Sequence, residues 1–230
     1  MAPVLDLEVR TREVRRDRAP DRGGRPPAPP GRHDGNGDGE PHPRSEGLPL
    51  SNARLGMLML LGGETMFFGG LVIAFLQLRL GAPVWPPPGQ PRLPIGLTAV
   101  NTLVLLGSSW TLLRALRAVR ADDRAGLVRW LGWTWGLGAL FLVIQGVEWT
   151  RLVHFGLRVS SGIYGATFYT LIGMHGAHVL GAAAWLGGIF WLARRDRFTR
   201  ARHVALDCCA MYWHFVVALW PVLYVLVYLA

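Results

Sequence analysis

Lysine is missing from this chain, whose 24 basic residues are all arginine. Arginine, glycine, alanine and proline are abundant, so we read the gap as genome base composition, without functional meaning. Cysteine is nearly missing: Cys208 and Cys209 are the only two and they are adjacent. That arrangement excludes a spaced framework for disulfides or zinc, and we expect both to be ordinary helix residues. No Glu-x-x-His unit occurs, so the ligand pairs of carboxylate-bridged dimetal bundles are lacking. There is no G-x-S-x-G elbow and no glycine loop suited to phosphate. Only two carboxylates, Glu64 and Glu148, fall inside long apolar stretches. Together these gaps argue against soluble-enzyme chemistry, and against a pump or redox centre built by this chain alone.

What is present is apolar and unevenly placed. Hydrophobic residues make up 51% of the chain, and the long ones lie almost entirely beyond residue 55. Residues 1–50 hold nine prolines and seven glycines, too little apolar surface to fold on their own, and we expect a disordered arm. Residues 51–230 form the second region. There, five stretches have the roughly 20 apolar residues a spanning helix needs: 55–78, 95–113, 130–150, 163–193 and 208–230. The expected fold class is all-α, a polytopic integral membrane protein with a bundle of five transmembrane helices. The first run is too long for a signal-peptide core and is expected to stay as an anchor.

The net charge of +9 invites a nucleic-acid reading, but its distribution argues otherwise. Ten arginines and nine acids nearly cancel in residues 1–54, so the surplus lies between the apolar runs, where basic residues report topology. Arg114, Arg117, Arg120, Arg124 and Arg129 follow the second run, and Arg194, Arg195, Arg197, Arg200 and Arg202 follow the fourth. Arg79 and Arg92 follow the first run, Arg151 and Arg158 the third. The bias predicts the N-terminus inside and the C-terminus outside. Pro94 suits the first turn of helix two, Ser161 and Asp207 suit helix caps, and Pro221 predicts a kink. Trp85, Trp110, Trp130, Trp149 and Trp191 fit interfacial belts. Glycines within helices one, three and four predict close helix packing.

Polar residues inside the apolar runs are the candidates for function. Glu64 lies near mid-bilayer, where a carboxyl either keeps its proton or needs a partner. Proton handling or lipid contact is one reading, and packing through a hydrogen bond is the other. His214, some six residues into helix five, is expected at a depth close to that of Glu64, and a hydrogen bond between the two is one candidate pairing. His175 and His178 share one face of helix four and read as contacts to a neighbouring helix, a partner or lipid headgroups, with no metal assigned. Glu148, one turn from Gln145 and Arg151, reads as an interfacial ion pair.

The order of these pieces resembles a known family. LGMLMLLGGETMFFGGLVIAF from Leu55 to Phe75 is similar to the helix of subunit III of haem-copper terminal oxidases that carries its membrane glutamate. Trp85-Pro86-Pro87, Asn101-Thr102-Leu103 with Ser108-Ser109, then Gln145, Glu148 and Trp149 follow in the same order. YGATFYTLIGMHGAHVLG from Tyr164 to Gly181 and Tyr212-Trp213-His214-Phe215-Val216 complete the resemblance. It corresponds to a short five-helix form without the two leading helices of longer versions.

The resemblance implies a non-redox subunit of a proton-translocating oxidase, probing no substrate itself. It implies haem and copper in partner subunits and no cofactor in this chain, with oxidase subunits I and II and a small subunit IV as partners. It also implies bound phospholipid, a bacterial plasma (inner) membrane location, and Glu64 as the reactive intramembrane carboxylate. His175, His178 and His214 are not implied as ligands. One position departs: the family's aspartate after His-Phe-Val is Val217 here. Three other readings stay open. A nitric oxide reductase accessory protein shares the scaffold, a free-standing proton channel would use Glu64 and the histidines as a relay, and a membrane metalloenzyme would use the histidines.

Overall fold

The computed structural model describes residues 51–89 and 93–229. The arm at residues 1–50, for which disorder is expected, lies outside the described residues, as does Arg92. Five helices follow in order: α1 (Asn52–Leu80), α2 (Ile95–Arg120), α3 (Arg124–His154), α4 (Ile163–Arg194) and α5 (Val204–Tyr224), which runs into a π-helical segment, Val225–Leu229. All five are long and apolar enough to cross a membrane.

The expected spans hold, but the connections are shorter than the apolar runs suggest. α2 and α3 continue through the arginine-rich stretch and leave a three-residue turn, Ala121 to Asp123. A helix satisfies its own backbone and need not stop where its apolar residues stop. Asp122 takes the left-handed conformation at φ 54°, which short polar side chains tolerate. Asp123 then caps α3 by accepting from the Gly126 amide at 2.8 Å. At α1 the cap is Ser51, whose side chain accepts from the Arg54 amide at 3.4 Å.

Three local expectations need correction. Gly162, not Ser161, occupies the N-cap of α4, and the Ser161 hydroxyl donates to Gly156 O at 2.8 Å, closing the preceding turn. Asp207 lies inside the first turn of α5, behind an N-cap at His203. Its carboxylate pairs with Arg54, with Arg120 at 3.8 Å and with His203 at 3.6 Å, because two arginines and a histidine converge there from α1, α2 and the approach to α5. Pro94 is the N-cap residue of α2, one position before its first turn.

α2, α3, α4 and α5 pack in a cycle of neighbours, α2 on α3, α3 on α4, α4 on α5 and α5 on α2. α1 packs on α4 and α5. Close approach in the cycle depends on glycine: a Cβ on Gly138 of α3 would collide with the Trp213 ring of α5. α2 presents hydroxyls to α5. Each donates its hydrogen to a carbonyl of its own helix and accepts an indole N–H from α5: Ser108 donates to Leu105 O at 2.6 Å and receives Trp213 Nε1 at 3.1 Å. Thr102 donates to Thr98 O at 2.7 Å and receives Trp220 Nε1 at 2.9 Å.

α1 is attached differently. Its buried residues are Met57, Phe68 and Phe75, a narrow stripe, and three polar clasps supplement them. Arg54 pairs with Asp207 at one end, Glu64 meets His178 near the middle, and Arg79 Nη1 donates to Leu226 O of the π-helical segment at 2.9 Å.

Candidate functional site

Glu64 lies two residues from the midpoint of α1, about 18 Å from its first residue at 1.5 Å rise per residue. His178 lies at the midpoint of α4. Their side chains are mostly buried, and His178 Nε2 stands 3.2 Å from Glu64 Oε2. His178 Nδ1 is 2.6 Å from Met174 O. A carbonyl oxygen only accepts, so Nδ1 carries a hydrogen and Nε2 is the nitrogen that faces the carboxyl. A proton between Nε2 and Oε2 would join the two, on the acid beside neutral imidazole or on imidazolium beside a carboxylate. Phe67 and Phe68 flank the pair, with ring centroids 6.1 and 5.1 Å from that of His178.

His214 is not the partner of Glu64. Its Nδ1 bonds Ser109 Oγ of α2, while Glu64 is met by His178 of α4. Counting residues gives a depth, but rotation about the helix axis selects the neighbour. His175 shares a helix face with His178 only in part. It is fully buried and stacks on Trp220 at 5.1 Å with planes 23° apart. Burial removes it from the lipid surface, and neither ring nitrogen has a hydrogen-bond partner. His175 and Trp149 help line a 370 Å³ cavity between α3 and α4 that reaches Trp220.

Glu148 is also placed differently from the interfacial ion pair. It is 1% exposed, while Arg151 is exposed on the last turn of α3. Tyr228 OH donates to Glu148 Oε1 at 2.9 Å, and Thr98 Oγ1 lies 3.0 Å from Oε2. Tyr228 is a site residue that the apolar run at 208–230 concealed, since its partner is 80 positions away. Val217, the position without the expected acid, is buried in the core.

Among the described residues, no group of three or more His, Cys, Asp or Glu side chains could hold a metal ion. The three histidines go to three different neighbours, which explains why. Residues 48–230 match the family described as cytochrome c oxidase subunit III.

The chain belongs to the cytochrome c oxidase subunit III family.

Curated relatives agree. Cytochrome c oxidase subunit 3 of Synechocystis is 35% identical over 175 residues, covering 76% of this chain and 74% of the relative. The protein of the same name from Corynebacterium diphtheriae is 33% identical over 177 residues, covering 76% and 86%. That of Equus caballus is 33% identical over 182 residues, covering 76% and 68%. This is a non-catalytic type of subunit within the haem-copper oxidase family and the respiratory chain, built as a polytopic membrane protein.

Proposed function

We propose that this chain is subunit III of a cytochrome c oxidase in a bacterial plasma membrane. There it supports the catalytic subunit and the uptake of protons, and holds phospholipid. Its partners are oxidase subunits I and II, with a small subunit IV, and those partners carry the haem and copper. The arginine-rich helix ends face the cytoplasm, which sets the N-terminus of the bundle inside and its C-terminus outside.

The observation that carries the mechanistic part is the 3.2 Å approach of His178 Nε2 to Glu64 Oε2, which we read as a pair sharing one proton. It lies in the middle of two spans, where an isolated carboxylate is costly and a shared proton offsets that cost. Glu64 is the proton-handling group and His178 its partner. His214 is tied to Ser109 and has a packing role.

The test is Glu64→Gln in the purified native complex. Haem content and subunit assembly stay as in the parent, while turnover or its decay under a proton gradient changes by less than about tenfold. A group acting as general acid or base at the reacting atoms would instead be worth about 10² to 10⁴. Complete loss of electron transfer, or no change under any gradient, overturns the assignment.

A further inference from the structure

We infer that Glu148 is a second proton-binding site: it is held as a neutral carboxylic acid that donates its own hydrogen to Thr98. The argument is hydrogen-bond bookkeeping. A threonine hydroxyl has one hydrogen to give and two lone pairs to receive with. Thr98 Oγ1 lies 2.8 Å from Pro94 O, one turn back on its own strand of backbone, and 3.0 Å from Glu148 Oε2. Pro94 O can only accept. If Glu148 were ionised, both neighbours of Thr98 would be pure acceptors, and one hydrogen would have to serve two bonds.

Two other hydroxyls of α2 show how the conflict resolves. Thr102 and Ser108 each give their hydrogen to a carbonyl of α2 and receive one from across the interface, from Trp220 and Trp213 respectively. Thr98 continues the series, giving to Pro94 O. The group that faces it across the interface is Glu148, so the carboxyl O–H supplies the hydrogen that the indole N–H groups supply lower down. Oε1 then remains as the carbonyl oxygen and accepts from Tyr228 OH at 2.9 Å. Tyr228, Glu148 and Thr98 then each give their one hydroxyl hydrogen to one acceptor.

The surroundings favour the same state. Glu148 is 1% exposed. It is faced by Thr98 from α2, Tyr228 from the π-helical segment and Gln145 one turn back on α3. Among the described residues no arginine or histidine comes within ion-pair distance of it. A buried carboxylate without a cation is costly, and a neutral acid bonded to Thr98 and Tyr228 avoids that cost. Glu148 also sits on α3 and Glu64 on α1, so the chain carries two proton sites on separate elements. Tyr228 lines a 240 Å³ cavity together with Trp85, Pro86 and Tyr164.

Infrared difference spectroscopy on the purified full-length chain at neutral pH tests the assignment. Subtracting Glu148→Gln from the parent removes one protonated-carboxyl C=O band, and in the parent that band shifts down in heavy water. Tyr228→Phe keeps the area of the band but moves it up, because the carbonyl loses its donor. Loss of a carboxylate band in place of a carboxyl band in the first subtraction overturns the proposal. So does an unchanged carboxyl region in Tyr228→Phe, which also decides the matter should Glu148→Gln fail to fold. Failure here leaves the Glu64 reading untouched, since the two sites share no residue.

Discussion

At the scale of single residues, the chemistry of this subunit rests on which hydrogen each polar atom gives or receives. In the proposed reading Glu64 and His178 share one proton, and removing the imidazole leaves the acid without its partner. His178→Leu is therefore expected to reduce the proton-dependent part of turnover at least as much as Glu64→Gln. It should also lower the melting temperature of the purified chain by an amount equivalent to about 1–3 kcal/mol, the usual cost of an unpaired buried polar group. Circular dichroism on heating, alongside oxygen consumption, separates the two effects. His214→Ala, which touches Ser109 and not Glu64, is expected to leave the proton dependence unchanged. Sequence reading placed Glu64 at mid-membrane and named all three histidines, but offered the wrong one as a candidate partner for Glu64. Depth is countable at 1.5 Å per residue, whereas the direction a side chain faces depends on how neighbouring helices rotate against each other. Glu148 was misread for a related reason. The visible local partner, Arg151, is three residues away, while the actual ones are Thr98 and Tyr228, 50 and 80 residues away.

At the scale of elements, the helices differ in what holds them. α2 and α5 are joined by indole-to-hydroxyl bonds, and α3 meets α5 in a tight glycine contact at Gly138. Gly138→Val should overfill that contact against Trp213, at a cost of about 1–3 kcal/mol, seen as a lower yield of folded protein and a lower thermal midpoint. Gly69→Ala on α1 is the control, since a Cβ there meets nothing within 4 Å, and no loss is expected. α1 depends on its polar clasps. Asp207→Asn weakens the attachment at the arginine-rich end, and its effect should fall between the roughly 1 kcal/mol of an exposed pair and the roughly 3 kcal/mol of a buried one, because Arg54 is partly exposed. Proteolysis within α1 reports that loosening. The five spans were legible because about 20 apolar residues leave little choice in a bilayer. Their true ends were not, because arginine and aspartate continue a helix into the aqueous layer as readily as they form a loop. Five arginines between the second and third apolar runs belong almost entirely to helix ends, with Ala121 to Asp123 alone as the turn.

At the scale of the whole molecule, the charged ends set the orientation we propose. A single cysteine introduced at Arg197 should resist a membrane-impermeant maleimide in intact cells, while one introduced at Pro88 should react; the reverse pattern would invert the bundle. Cys208 and Cys209 are buried and should stay silent in that assay. The hydroxyl rungs between α2 and α5 also bear on how such a bundle can move. Trp213 and Trp220 are seven positions apart on one helix, and their acceptors Ser108 and Thr102 are six apart on the other. Sliding one helix past its neighbour by a single turn would unseat both rungs at once, and in either direction only one indole would find another hydroxyl near it, Thr98 or Thr111. The pair therefore behaves as a stiff plank, and under the proposed reading the shape change that accompanies proton exchange falls to α1, the span fastened by separate clasps.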